Sequence, residues 1–409
     1  MVTEREFATD VVKRLATKGY QALWAGGCVR DQLLGLEPDD YDVATNALPT
    51  EVVKLFPRTV TVGISFGVVE VIGPKQSDGT HLNVQVATFR SDGEYHDGRR
   101  PSTVQFSDAK EDALRRDFTI NGMFFDPLEN AVLDFVGGQQ DLSNRVLRAI
   151  GNPEDRFEED KLRLLRAIRF THRFGCSVDP GTIAAMTKMA PHLNVVSTER
   201  IAVELRKILA HPSRAAAVAQ MIELGLVQVI IPQLFPMKDR DATLQVLQTI
   251  GRGASVSFGL AMAVLLHALH PKNVEKLLRQ LKLSNAEIDQ ITWLVTRQDS
   301  LRGAATQPNH QLFPILVHPH IVELCEWTLT SGGASDAEYC EELLASHTSD
   351  FFQPVPLVTG DDLRAWGYQP GKIFKKILDQ VRDMQLDWQL QTTDEAKEYI
   401  LATFGPPQK

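Results

Sequence analysis

The stretch Ala22-Leu23-Trp24-Ala25-Gly26-Gly27-Cys28-Val29-Arg30-Asp31, continued to Asp39-Asp40-Tyr41-Asp42, decides how this chain folds. A short apolar run (Ala22–Trp24) meets paired glycines, and helical spacing follows from Val29 to Leu34. A strand turning sharply into a short helix is predicted. Paired glycines let the backbone approach a ligand closely. A helix N-terminus just beyond them offers unpaired N–H groups to phosphate, and Arg30 adds a charge-assisted donor. An ordinary glycine turn with a surface arginine would give the same string. If Tyr41–Ala44 opens a strand, Asp40 and Asp42 project from one face. Two carboxylates that close repel unless a cation sits between them. Mg²⁺, hard and commonly held by one or two carboxylates plus substrate phosphates, suits that position. Alone, these residues read first as a solvated acidic turn after Pro38.

Working outward, Phe7–Lys18 has helical apolar spacing, and β-rich runs follow at Ala22–Trp24, Val60–Val62, Val68–Ile72, Leu82–Phe89 and Ala131–Asp134. Gly73–Thr80 reads as a hairpin loop. Beyond Gly137 helical patterns dominate: Asp155–Phe174, Glu199–Leu209, Arg214–Leu224, Thr243–Thr249, Val274–Leu281 and Ile373–Met384. The fold class is therefore α+β: a head with a small mixed sheet followed by helices. Four parts are expected, at residues 1–136, 137–210, 211–350 and 351–409.

Two further blocks carry charge. In Arg115-Arg116-Asp117-Phe118-Thr119-Ile120-Asn121 the arginines supply positive charge, while Asp117 and Asn121 can bond sugar hydroxyls or cap a helix. In EEDKLRLLRAIRF (158–170), Asp160, Arg163, Arg166 and Arg169 are spaced by three, so one helix would carry them on a slowly drifting face. Leu162, Leu165 and Ile168 take the other side. A salt-bridged solvent face is the bland reading, yet three arginines so spaced repel one another unless an anion is bound.

The 409 residues allow two or three domains, and the balance of 43% hydrophobic and 23% charged residues is globular. A net charge of −9 argues against indiscriminate coating of nucleic acid, not against a local basic groove. Cys28, Cys176, Cys325 and Cys340 lack metal-ligand spacing, which fits a reducing, cytoplasmic setting. No apolar run approaches the ~20 residues of a spanning helix. The charged start MVTEREFATDVVKRL does not read as a signal peptide.

GGCVRDQLLG (26–35), DDYD (39–42), RRDFTIN (115–121), GGQQDL (137–142) and EEDKLRLLRAIRF (158–170), in that order and spacing, resemble the class II nucleotidyltransferases. That branch contains the tRNA CCA-adding enzymes and bacterial poly(A) polymerases. Looser likeness continues through Ser197–Leu209, Leu281–Asp289 and Val358–Leu378. The resemblance implies a nucleotidyltransferase head followed by helical neck, body and tail. It implies that Asp40 and Asp42 bind catalytic Mg²⁺, and that Gly27, Arg30 and Arg116 sit at the incoming nucleotide. It gives base reading to Asp160 and Arg163, and contacts on the phosphate side to Arg166 and Arg169. The implied partners are tRNA, ATP and CTP, with no membrane. Asp160 only accepts and Arg163 only donates. That pair matches the amino group and ring nitrogen of cytosine and adenine and mismatches uracil and guanine.

One position departs from the family pattern: Gln85 stands where a glutamate is usual, and Glu70 on a neighbouring strand is a candidate to compensate. His267 is followed by Ala268, so a histidine–aspartate doublet is absent, and no metal-dependent phosphatase activity is expected. Asp92–Arg100 corresponds to a loop that accompanies C-to-A switching in the family. Complete CCA addition, terminal A addition and poly(A) synthesis compete as activities. A non-catalytic RNA-binding protein is the reading from another class. Lys272, Lys276, Lys372, Lys375 and Lys376 are candidate RNA contacts, and Gly405–Lys409 is expected to be disordered.

Overall fold

The computed structural model describes residues 2–61, 67–92 and 104–407. The chain forms two compact units, Met1–Ile208 with Ala216–Pro232, and Leu209–Ala215 with Gln233–Lys409.

In the first unit, α1 (Glu4–Thr17) starts at a capping box between Thr3 and Glu6 and buries Phe7, Val11 and Leu15. There follow β1 (Ala22–Ala25), α2 (Gly27–Leu33), β2 (Asp42–Thr45), α3 (Pro49–Leu55), β3 (Thr59–Val60), β4 (Val68–Lys75) and β5 (His81–Thr88). A small hairpin, β6 (Arg90–Asp92) with β7 (Val104–Phe106), precedes α4 (Ala109–Leu114), β8 (Phe124–Asp126) and β9 (Ala131–Leu133). The main sheet has seven strands in the order β3-β4-β5-β2-β1-β8-β9. It is mixed: β2 and β5 run parallel and the other neighbours antiparallel. Leu82, Val84 and Val86 of β5 are buried while His81, Asn83 and Gln85 alternate outward, so one face is core and the other is left for chemistry. Trp24 and Tyr41 are core residues, their rings 4.8 Å apart, edge to face.

Three of these strands carry too few residues to show a period: β8 and the hairpin pair β6–β7 have no counterpart in the sequence reading. The segment Asp92–Arg100 lies, beyond Asp92 itself, outside the described residues.

After α5 (Gly138–Ser143), β10 (Val146–Leu147) pairs in parallel with β11 (Ser177–Val178). Between them stand α6 (Pro153–Glu159) and α7 (Arg163–Phe174). The single helix expected over Asp155–Phe174 is thus two. Asp160 takes φ −150°, ψ 101°, ending α6, and its carboxylate accepts the Leu162 amide at 3.1 Å to start the next turn. Helix α8 (Pro180–Met189) and α9 (Thr198–Ala210) follow.

The second unit is helical. The helix Phe258–Leu266 is apolar all round and buried from Gly259 onward. Arg214, 0% exposed, donates to the carbonyls of Leu209, Ala210, Leu247, Ile250 and Ala254. His267 bonds the Val264 carbonyl through Nδ1, and His270 caps the helix Pro271–Gln280, so both are helix-end residues. Near the C-terminus, Lys372–Leu386 and Thr393–Phe404 share a core with Val358, Leu363 and Tyr368. The expected disorder from Gly405 is corrected over its first residues: Tyr368 Oη donates to the Gly405 carbonyl at 2.6 Å, and Pro407 packs beside Gly367. No helix among the described residues is long and apolar enough to cross a membrane.

Candidate active site

A cavity of about 480 Å³ in the first unit is lined by all nine residues singled out from the sequence: Gly27, Arg30, Asp40, Asp42, Arg116, Asp160, Arg163, Arg166 and Arg169. A comparable cavity of about 520 Å³ in the second unit, beside His267 and Trp327, has no such convergence of charge.

Gly26, rather than Gly27, is the glycine the turn requires. It has φ 75° and ψ −120°, and a Cβ there would meet Arg116 Nη1 at 2.9 Å. Gly27 opens α2 in an ordinary conformation. Arg30 is 5% exposed and locked by several contacts. Its Nε bonds Asp31 at 2.8 Å, its Nη1 bonds Asn121 at 2.6 Å, and its guanidinium lies 4.3 Å from the Phe174 ring centroid. Arg116 is held by Asp112 at 2.9 Å and by the Phe124 ring, 4.9 Å from its centroid. These arginines are pre-oriented donors rather than flexible surface charges.

Asp42 is the first residue of β2, and Asp40 lies in the approach to it. Neither carboxylate has a hydrogen-bond or ion-pair partner among the described residues. Burial and the nearby Asp40 charge push the Asp42 carboxyl up to about 6, with Arg116 opposing them. Two acidic side chains left with each other in one cavity fit a divalent cation. Among the described residues no three His, Cys, Asp or Glu side chains gather to hold a metal. The sheet register explains why. Gln85 is the direct neighbour of Asp42, and Glu70 stands beyond Gln85. At about 4.8 Å per strand, Glu70 is roughly 10 Å from the Asp42 position. Glu70 therefore does not replace the missing carboxylate.

The expectation that the three arginines of α7 need a bound anion is corrected by their partners. Arg163 Nη1 meets Glu159 at 2.6 Å, Arg166 Nη2 meets Asp117 at 2.6 Å, and Arg169 Nε meets Glu204 at 2.7 Å. Each charge is answered by a carboxylate. Glu159 stands at i,i+4 from Arg163, within reach of a helical-face argument, whereas Asp117 and Glu204 lie 49 and 35 positions from their arginines, which such an argument could not foresee. Asp160 is bridged by Arg200 of α9. Sequence reasoning also missed Asp31, Asp39, Arg115, Phe170, Arg173 and Lys207 as lining residues. Asp31, Asp39, Arg115 and Phe170 sat inside quoted motifs and Lys207 in the looser stretch Ser197–Leu209; Arg173 lay outside them all.

The elements around the cavity define a nucleotidyltransferase head. Residues 22–148 match the model described as the Poly A polymerase head domain, and residues 175–238 match the probable RNA and SrmB-binding site of polymerase A. A CCA-adding enzyme of Geobacillus sp. (strain WCH70) is 32% identical over 89% of this chain and 88% of its own. That of Enterococcus faecalis is 31% identical over 98% and 96%. The solved Bacillus stearothermophilus CCA-adding enzyme in complex with CTP superposes with a TM-score of 0.81 at 29% identity, over 98% of this chain and 99% of that one. The chain belongs to the CCA-adding enzyme family, whose nucleotidyltransferases work with a divalent metal.

Proposed function

We propose that this protein is a template-independent RNA nucleotidyltransferase that adds CCA to tRNA 3′ ends from CTP and ATP with release of pyrophosphate. The observation that carries the reading is one cavity holding, together with Asp160 and Arg163, a carboxylate couple with no partner among the described residues. The similarity to enzymes named for CCA addition, one of them bound to CTP, supports it.

Mg²⁺ is the metal we assign to Asp40 and Asp42, where it would neutralise triphosphate charge and help form the attacking RNA 3′-oxygen. The protein's own task is positioning. Arg30 and Arg116 line the cavity beside Asp42, and Gly26 keeps the backbone there free of a side chain. Arg166 and Arg169 retain donors for the phosphate side. Base choice follows from what is left after internal bonding. Asp160 Oδ1 accepts from Leu162 N–H and Arg200 Nη1, and Oδ2 accepts from Arg200 Nη2. Of about four acceptor sites on a carboxylate, one remains for an exocyclic amino group. Arg163 gives Nη1 to Glu159 and the Arg156 carbonyl and one Nη2 bond to the Arg115 carbonyl. Further N–H donors remain for the ring nitrogen of cytosine or adenine. Uracil and guanine would leave buried polar groups unpaired.

We also assign the four-part division at residues 136, 210 and 350, and a cytoplasmic setting for the four free, buried cysteines. Lys372, Lys375 and Lys376, which share a shallow depression, are proposed phosphate contacts for tRNA recognised by shape.

One assay tests the function. Protein, Mg²⁺ and labelled CTP or ATP are incubated with tRNA lacking its 3′ end. CTP incorporation followed by a single ATP is expected. One ATP only, on tRNA ending in CC, would mean terminal A addition, and long A tails on arbitrary RNA would mean poly(A) synthesis. No incorporation would leave an RNA-binding protein.

A further inference from the structure

Arg200 and Asp160 are 40 positions apart in sequence and meet fork to carboxylate, Nη1 to Oδ1 at 3.1 Å and Nη2 to Oδ2 at 2.6 Å. Their side chains are 22% and 16% exposed, a partly desolvated setting in which such a fork is worth more than a surface pair. Asp160 lines the cavity; Arg200 is not among the lining residues and approaches from α9. On its own side, Asp160 sits outside helix geometry between α6 and α7, so its backbone does not fix its side chain. The Leu162 amide holds Oδ1 alone. Without a second anchor the carboxylate could turn about its side-chain bonds.

We propose that Arg200 is a specificity-determining positioning residue, which sets base choice by fixing both oxygens of Asp160 and leaving one acceptor site open to the nucleotide. The proposal rests on the base-reading role given above to Asp160. Arg200 touches neither base nor metal; it acts through Asp160. With the fork removed, two acceptor sites reopen and a water molecule can fill the gap. Water donates as well as accepts. One hydrogen would go to Asp160 and the other to the carbonyl O4 of uracil, which the intact pair rejects. The Arg163 donor still opposes the uracil N3–H, so discrimination falls without vanishing.

The groups facing Asp160 make this specific to Arg200. Arg163 is committed to Glu159 and to two carbonyls, and Arg166 to Asp117. Lys161 turns to Glu158. None substitutes for the lost fork.

The test is single-nucleotide incorporation into tRNA lacking its 3′ end, with each of the four triphosphates, by wild type, Arg200→Ala and Arg200→Lys. In Arg200→Ala, the ratio of kcat/KM for CTP over UTP is expected to drop about tenfold, the effect of one mispositioned hydrogen bond. The loss for CTP should lie mainly in KM, with the Mg²⁺ requirement unchanged. Arg200→Lys keeps the charge but not the fork and should fall between. A proportional loss with all four nucleotides, leaving the ratio intact, would overturn the proposal and mark Arg200 as a structural brace. If Arg200→Ala does not fold, Arg200→Lys decides: a wild-type ratio refutes the idea. Wild-type protein that incorporates neither CTP nor ATP would instead refute the function itself, and the proposal with it.

Discussion

Oδ2 of Asp117 lies 2.8 Å from Nε and 2.6 Å from Nη2 of Arg166, across 49 positions of sequence. This pair ties the block RRDFTIN to α7 at the cavity wall. Oδ1 accepts the Phe118 amide and the Asn121 side chain at 2.8 and 3.0 Å. Burial alone would raise the Asp117 carboxyl; Arg166 and these donors outweigh it and hold it at about 2.

The pH dependence follows in sign. A carboxyl depressed from 3.8 to about 2 in the folded protein stabilises fully above its unfolded value. That contribution is lost as pH falls through the folded value. Asp117→Asn is expected to cost about 2 kcal/mol at pH 7. The difference should shrink to near zero by about pH 2, read from urea unfolding of both proteins across that range.

Asp42 behaves oppositely. Its carboxyl is raised to about 6, so in the absence of metal the ionised form costs stability above that pH. Asp42→Asn should melt higher than wild type at pH 8 in chelator, by the equivalent of about 1 kcal/mol after allowance for solvent screening. Nucleotide incorporation should collapse, by about a thousandfold or more if the metal supplies most of the charge stabilisation. Asp40→Ala should lose activity likewise while RNA binding persists. Gln85→Glu, beside Asp42 in register, should lower the Mg²⁺ concentration needed for half-maximal rate.

Gly26 tests the turn. Alanine there faces a positive φ and a 2.9 Å approach to Arg116 Nη1. Gly26→Ala should cost about 1–3 kcal/mol through strain and displace Arg116. The activity loss should exceed that of a stability-matched core variant measured on equal amounts of folded protein.

Arg214 tests the second unit. Its guanidinium answers five carbonyls and, among the described residues, makes no ion pair. Arg214→Ala should destabilise by about 3 kcal/mol or more, because buried acceptors are left unmet. Lysine, with three donors, should recover only part. Denaturant midpoints of the two variants make the comparison.

Local patterns were enough for the long elements. Phe7, Val11 and Leu15 announced α1, and the β-rich run Leu82–Phe89 announced β5. The nine site residues named from the charged motifs and the resemblance all line the cavity, though not all of its lining was named. Short strands such as β8, with three residues, carry no period to read. The break at Asp160 was hidden because EEDKLRLLRAIRF keeps helical spacing straight through it. Only a backbone angle and the Leu162 amide end α6 there.

By itself, the chain's sequence determined its family, its α+β class and the kinds of side chain available for chemistry, because those depend on motifs and periods within a few dozen residues. Tertiary structure alone decided who pairs with whom: Arg166 with Asp117, Arg169 with Glu204, Arg200 with Asp160, and Gln85 between Asp42 and Glu70. Those pairings join elements far apart in sequence, and the energy of a charge depends on what the fold sets within a few ångströms of it.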